Sequence, residues 1–173
     1  MRKTIVVAAL LTVPVVAEAQ LPTLAGQDAY AAVAEVVRLL EADPATDWSK
    51  VNLEALRQHL IDMNEVTLRA LARPTPVSGG AQFDVTGQGP TVGAIRRMLG
   101  AHAPMLDGMA AYRALSEEIP GGVRLTVRAE RPGDGATETK IRGLGFIGLL
   151  TVGAHHAVHH LALARGESMA HHH

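Results

Sequence analysis

The chain contains no cysteine. Its 173 residues therefore provide no disulfide, no thiolate metal ligand, no thiol nucleophile and no attachment point for a covalently bound c-type haem. Aromatic residues are also scarce, with one Trp, two Tyr and two Phe, which leaves little aromatic wall for a porphyrin. Stability has to come mainly from the packing of aliphatic side chains.

Neither sign of charge dominates. The chain has 16 basic and 17 acidic residues, and its formal net charge is −1. A protein that binds nucleic acid or an anionic membrane surface normally carries a basic excess. The composition therefore argues against both kinds of partner, and the length suits a single domain.

The N-terminal residues are typical of a secretory signal. Arg2 and Lys3 precede an apolar run over 4–16 that is too short to span a bilayer, and an A-x-A cleavage pattern follows at 17–19. We expect residues 1–19 to be removed and the protein to be exported, to the periplasm or outside the cell. The mature chain is then a domain over 20–168 with no membrane span, followed by a histidine-containing tail over 169–173.

Helical periodicity dominates the remaining chain. A Pro/Gly/Ser/Thr-rich segment over 74–90 indicates a crossover with one short strand near Phe83 and Val85, and Pro120-Gly121-Gly122 indicates a β-hairpin. No internal repeat is evident. The predicted fold is mainly α, a four-helix bundle with a small β-hairpin insertion between helices 3 and 4, and a homodimer is the expected assembly. The four predicted helices cover about 26–40, 47–71, 91–109 and 139–165.

Four histidines fall within six residues at 155–160, directly after an apolar run. Residues four apart share one helix face, so either His155 with His159 or His156 with His160 could hold a single metal ion. Spacing alone does not choose between the two pairs. The unused pair would support the ligands, contact a substrate or lie on the surface.

His59 lies on or beside the apolar stripe of the second predicted helix. Taken alone it is better explained as a core histidine, but a neighbouring His-x-x-x-His helix could bring two more imidazoles to the same place. Three neutral histidines and an open coordination position suit zinc or nickel. Such a metal would act as a Lewis acid or activate a water or a substrate thiol, which makes a small-molecule transferase or hydrolase one interpretation.

Two segments resemble the DinB/YfiT-like superfamily of metal-binding four-helix bundles. Residues 48–63, with Trp48, Leu56 and His59, are similar to its helix-two signature, and the pattern His-x-x-His-His at 156–160 is similar to its helix-four motif within 141–165. The signal peptide, the hairpin and the doubled histidines depart from the family pattern.

This resemblance implies a metal held by His59, His156 and His160. It also implies metal-dependent activities of the kind found in the family, which include thiol transferases and isomerases. An exported location is unusual for such substrates.

The soft ligands offer an alternative, because His and Met can bind copper in a cysteine-free protein. His59 lies near Met63 in sequence, and His102 lies near Met105 and Met109. A b-type haem held by His and Met is a third hypothesis. Methionines at helical spacing are more often core residues, so both alternatives rank behind the three-histidine site.

Asp62 follows His59 by three residues. This spacing makes it the carboxylate best placed to act as a general base or to support a ligand.

Overall fold

Residues 29–153 and 155–167 are described by the computed structural model, and for residues 155–158 it describes the backbone alone. The predicted signal peptide and tail fall outside these residues. No described helix combines the length and apolar character needed to cross a bilayer. The elements are α1 (Ala29–Ala42), α2 (Leu53–Arg69), β1 (Leu71–Val77), β2 (Gly80–Thr86), α3 (Pro90–Asp107), β3 (Tyr112–Ile119), β4 (Gly122–Ala129), α4 (Gly135–Leu150) and α5 (His155–Ala164).

The four strands form one antiparallel sheet with the order β1-β2-β4-β3. Each outer pair is a hairpin closed by a two-residue turn, since Val77 pairs with Gly80 and Ile119 pairs with Gly122. The second turn residue has a positive φ in both hairpins, 78° at Gly79 and 76° at Gly121. Glycine adopts that conformation without a Cβ penalty, which explains its position there.

The prediction of a mainly α four-helix bundle is wrong. The chain has a mixed α/β fold in which the predicted hairpin is half of a larger sheet. The sequence pattern did not indicate the other half, because β1 contains Pro74 and Pro76 and is exposed along almost its whole length. Proline in a strand is tolerated at a sheet edge, where no neighbour needs its missing N–H. The apparent crossover over 74–90 is therefore an edge strand followed by a central one.

The order α-β-β occurs twice in succession, as α2-β1-β2 and α3-β3-β4. The two halves meet at the β2–β4 pair, where Phe83 faces Leu125 at the middle of the ladder. Equivalent backbone bonds lie on either side, from Gly87 N to Gly121 O (3.0 Å) and from Ala129 N to Gly79 O (2.8 Å). The chain therefore repeats one topology on the two sides of the β2–β4 pair.

One face of the sheet is buried by α3 and α4, and alternate residues of β2 and β4 form this core. A second core lies among α1, α2 and α5, and it includes Leu40, Leu56 and Ala164. Met63 of α2 packs against both cores. Helix α2 therefore joins the sheet and its covering helices α3 and α4 to a helical unit, formed by α1, α2 and α5, that carries the histidine motif.

The last predicted helix, 139–165, is two elements in the structure. Helix α4 already departs from helical geometry at Gly145 (φ 61°) and ends at Leu150, and Gly153 has a φ of 87° before α5 begins. Positive φ at glycine interrupts a helix because it redirects the backbone. This break lets α5 leave the sheet and pack against α1 and α2.

Candidate functional site

Helices α2, α3 and α5 surround a cavity of about 400 Å³. Eleven of the described residues line it: Ala55, Gln58, His59 and Asp62 of α2, Arg97, Met98, Ala101, His102 and Met105 of α3, and His159 and Leu163 of α5. The cavity therefore lies at the junction between the two αββ halves and the helical unit.

The sequence of α2 places His59 and Asp62 at this junction. Asn52 caps the helix by accepting a hydrogen bond from Ala55 N (3.0 Å), which satisfies one of the free N–H groups of the first turn. Leu56 and Leu60 are buried against α1 and α5. His59 lies between them in sequence on the adjoining face, half-buried, and its ring reaches the cavity.

The C-terminal end of α5 is tied to the connection between α1 and α2. Asn52 N donates to Ala164 O (2.6 Å), and Arg165 donates to the Asp43 carboxylate (2.6 Å). Gly166 has a φ of 71°, and a Cβ there would lie 2.5 Å from Lys50 O. These contacts fix the register of α5 against α2 and thereby bring its histidines to His59.

Three imidazoles meet at this contact. The ring centroids of His59 and His159 are 4.5 Å apart with an edge-to-face angle of 73°, and those of His59 and His160 are 5.4 Å apart. The rings of His159 and His160 are 6.4 Å apart. His59 is about a hundred residues from the other two in sequence, so tertiary packing creates the cluster.

The predicted site residues fall in four different places. His59, Asp62, His102 and His159 line the cavity, and His160 lies beside His59 without being among the lining residues. Met63 instead joins the two hydrophobic cores. The side chains of His155 and His156 fall outside the described part of the chain. Among the side chains that are described, no three histidine or carboxylate groups form an arrangement suited to holding a metal ion.

Arg97 is a site residue that the sequence did not indicate. Its Nε and Nη2 donate to both oxygens of Asp62, each at 2.7 Å. Asp62 is only 5% exposed, and these hydrogen bonds from Arg97 hold the pKa of its carboxyl below the ordinary value, against the opposing effect of burial. Asp62 is thus the bidentate ion-pair partner of Arg97, and the lowered pKa makes its carboxylate a weaker base than an unpaired one.

A second polar contact docks α2 on α3. Thr91 Oγ1 donates to Glu65 Oε2 at 2.7 Å.

Arg97 and Asp62 are far apart in sequence, and on a helix viewed alone both look like solvated surface residues. No sequence signal could have paired them.

Comparisons with protein-family models, with curated proteins and with solved structures gave no match to this chain. The resemblance to the DinB/YfiT-like superfamily therefore stays a prediction. Any functional conclusion rests on the geometry of the site.

Proposed function

We propose that the protein is an exported divalent-metal-binding protein whose ligands are His59, His156 and His160. The observation that carries the proposal is the approach of the His59 and His160 rings, whose centroids lie 5.4 Å apart. Two imidazoles bound to one tetrahedral zinc ion through bonds of about 2.0–2.1 Å have ring centres roughly 5 Å apart. The observed centroid distance is therefore compatible with both rings binding a common ion.

His156 is proposed as the third ligand because it precedes His160 by four residues on α5. Residues four apart in an α-helix share one face. His159 has a different role in this proposal, since its ring lies closer to His59, with centroids 4.5 Å apart, and it lines the cavity. It would orient the His59 imidazole.

The donor set favours zinc or nickel, which bind neutral imidazole well. When bound, such an ion supplies a Lewis acid or lowers the pKa of a coordinated water. The protein would hold that ion beside the cavity, so a small molecule in the cavity could reach an exchangeable coordination position. A metal-dependent transferase or hydrolase is the enzyme class that this arrangement supports.

The test is elemental analysis of the purified protein after reconstitution and dialysis. The three histidines at 171–173 are first replaced by serine, because they could bind metal themselves. We expect about one zinc or nickel ion per chain, and His59→Ala should abolish this stoichiometry while leaving the helical circular dichroism signal in place. Retention of one ion by His59→Ala would overturn the proposed ligand set.

Copper binding is a second candidate, because the cavity brings His102 and Met105 of α3 to the same place as His59. Imidazole and thioether ligands together favour Cu(I). The same elemental analysis discriminates the candidates, since copper retained under reducing conditions and lost in Met105→Leu would favour this one. A Soret absorbance band would indicate haem instead.

A further inference from the structure

The walls of the cavity are mostly apolar. Its apolar lining comes from all three helices and consists of Ala55, Met98, Ala101, Met105 and Leu163. Its volume of about 400 Å³ falls within the range of about 300–1,000 Å³ found for small-molecule sites. The exposed residues Gln58 and Arg97 line it as well, so the cavity is accessible from solvent. It fits a small molecule with an apolar body.

The polar groups of the cavity are rich in hydrogen-bond donors. His59, His102 and His159 each carry at least one N–H group whether neutral or protonated. Among the described lining residues Asp62 is the one carboxylate, and both of its oxygens accept hydrogen bonds from Arg97. Arg97 uses Nε and Nη2 for this pair, and its Nη1 carries two further N–H groups. The complementary head group is an anion that accepts hydrogen bonds.

We infer that this cavity binds a small carboxylic acid with an apolar, chain-like or ring body. The apolar part would lie against the methionines and alanines, and the carboxylate would face the histidines and Arg97. Charge-assisted hydrogen bonds of this kind are stronger than those to a neutral group. The inference goes beyond the proposed metal site and does not require a bound ion.

Isothermal titration calorimetry of the full chain, freed of metal by chelation and dialysis, tests the inference. Octanoate is the probe, and octanamide is its neutral counterpart of nearly the same shape. We expect octanoate to bind at about one molecule per chain, with a dissociation constant at least about tenfold lower than that of octanamide. Because the protein is metal-free, failure of the metal proposal would not affect this result.

Two variants fill the cavity from different helices, Ala101→Leu on α3 and Ala55→Leu on α2. Each should weaken octanoate binding at least about tenfold, because the added side chain occupies the space of the ligand. Ala34→Leu, at an exposed position of α1 outside the cavity, is the matched control and should leave the affinity unchanged. Thermal unfolding identifies any variant that does not fold, and the other variant then carries the test.

Three results would overturn the inference. The first is the absence of octanoate binding to the unsubstituted chain. The second is equal affinity for octanoate and octanamide, which would show that the head group is not recognised. The third is undiminished binding by the folded cavity-filling variants, which would place the ligand elsewhere.

Discussion

His59 of α2 and His159 of α5 lie edge to face, with ring centroids 4.5 Å apart, although about a hundred residues separate them in sequence. The contact exists because the start of α2 and the end of α5 are joined through Asn52 and Ala164. His59 therefore contacts His159 and also His160, one member of each i, i+4 histidine pair. Double substitutions in α5 can distinguish between these pairs.

The variant His156→Ala/His160→Ala should lose the bound metal, whereas His155→Ala/His159→Ala should retain about one ion per chain with weaker affinity. The expected loss follows because the first variant removes two of three proposed ligands, and the second removes groups that orient them. Metal content after dialysis against a weak chelator measures the difference. The opposite pattern would assign the ligands to His155 and His159.

Arg97→Gln should lower the free energy of unfolding by about 2 kcal/mol, because it leaves the buried Asp62 carboxylate without its bidentate partner. The exposure of Arg97 lets water reach part of the site, which keeps the loss below that of a fully buried pair. Arg57→Gln is the matched control. It removes an exposed i, i+3 pair with Glu54 and should cost much less, because water screens an exposed ion pair. Urea unfolding measures both, and equal losses would contradict the structural role of Arg97.

Gly122→Ala should destabilise the protein by about 3 kcal/mol or more. A Cβ at Gly122 would lie 1.9 Å from Val85 O, a backbone atom of the central pair β2–β4 that cannot move without opening the ladder. Gly100→Ala is the control, because nothing lies within 4 Å of a Cβ at that exposed helical position. It should stabilise by about 0.5–1 kcal/mol. Thermal denaturation that ranked the two variants in the reverse order would argue against the β2–β4 register.

Asp84 and Arg124 face each other across β2 and β4, and both carboxylate oxygens accept hydrogen bonds, at 2.7 and 2.9 Å. These bonds from Arg124 lower the pKa of the Asp84 carboxyl from its ordinary value of 3.8. Because the folded state then binds the proton less tightly than the unfolded chain, the stabilisation is complete above that value. It is lost as the pH falls through the lowered pKa.

Asp84→Asn should therefore cost about 0.5–1 kcal/mol near pH 7, and the difference from the unsubstituted protein should shrink below pH 3.8. Urea midpoints measured at neutral and acidic pH give the comparison. Arg124→Gln should remove the same pH dependence, since it removes the group that lowers the pKa. A difference that persisted unchanged at low pH would show that the pair does not supply this stability.

Helices and turns with local sequence signals could be predicted from the sequence alone. Helix α2, α3 and the hairpin of β3 and β4 lie close to their predicted ranges, because apolar periodicity and a Pro-Gly-Gly turn depend only on neighbouring residues. The i, i+4 spacing of the histidines within α5 is likewise a local pattern, visible in the sequence. This local pattern predicts two alternative pairs, His155 with His159 or His156 with His160, and only the resemblance to the DinB/YfiT-like superfamily selects the second.

The strand pairing of the sheet and the assembly of the site depend on tertiary contacts. The pairing of β2 with β4 joins residues about forty positions apart, and the edge strand β1 tolerates two prolines that would otherwise argue against a strand. The glycine break after α4 redirects α5 onto α2, which no helical periodicity predicts. The cavity and the pairing of Arg97 with Asp62 exist because three separate helices pack together, and a local sequence pattern carries no information about such long-range contacts.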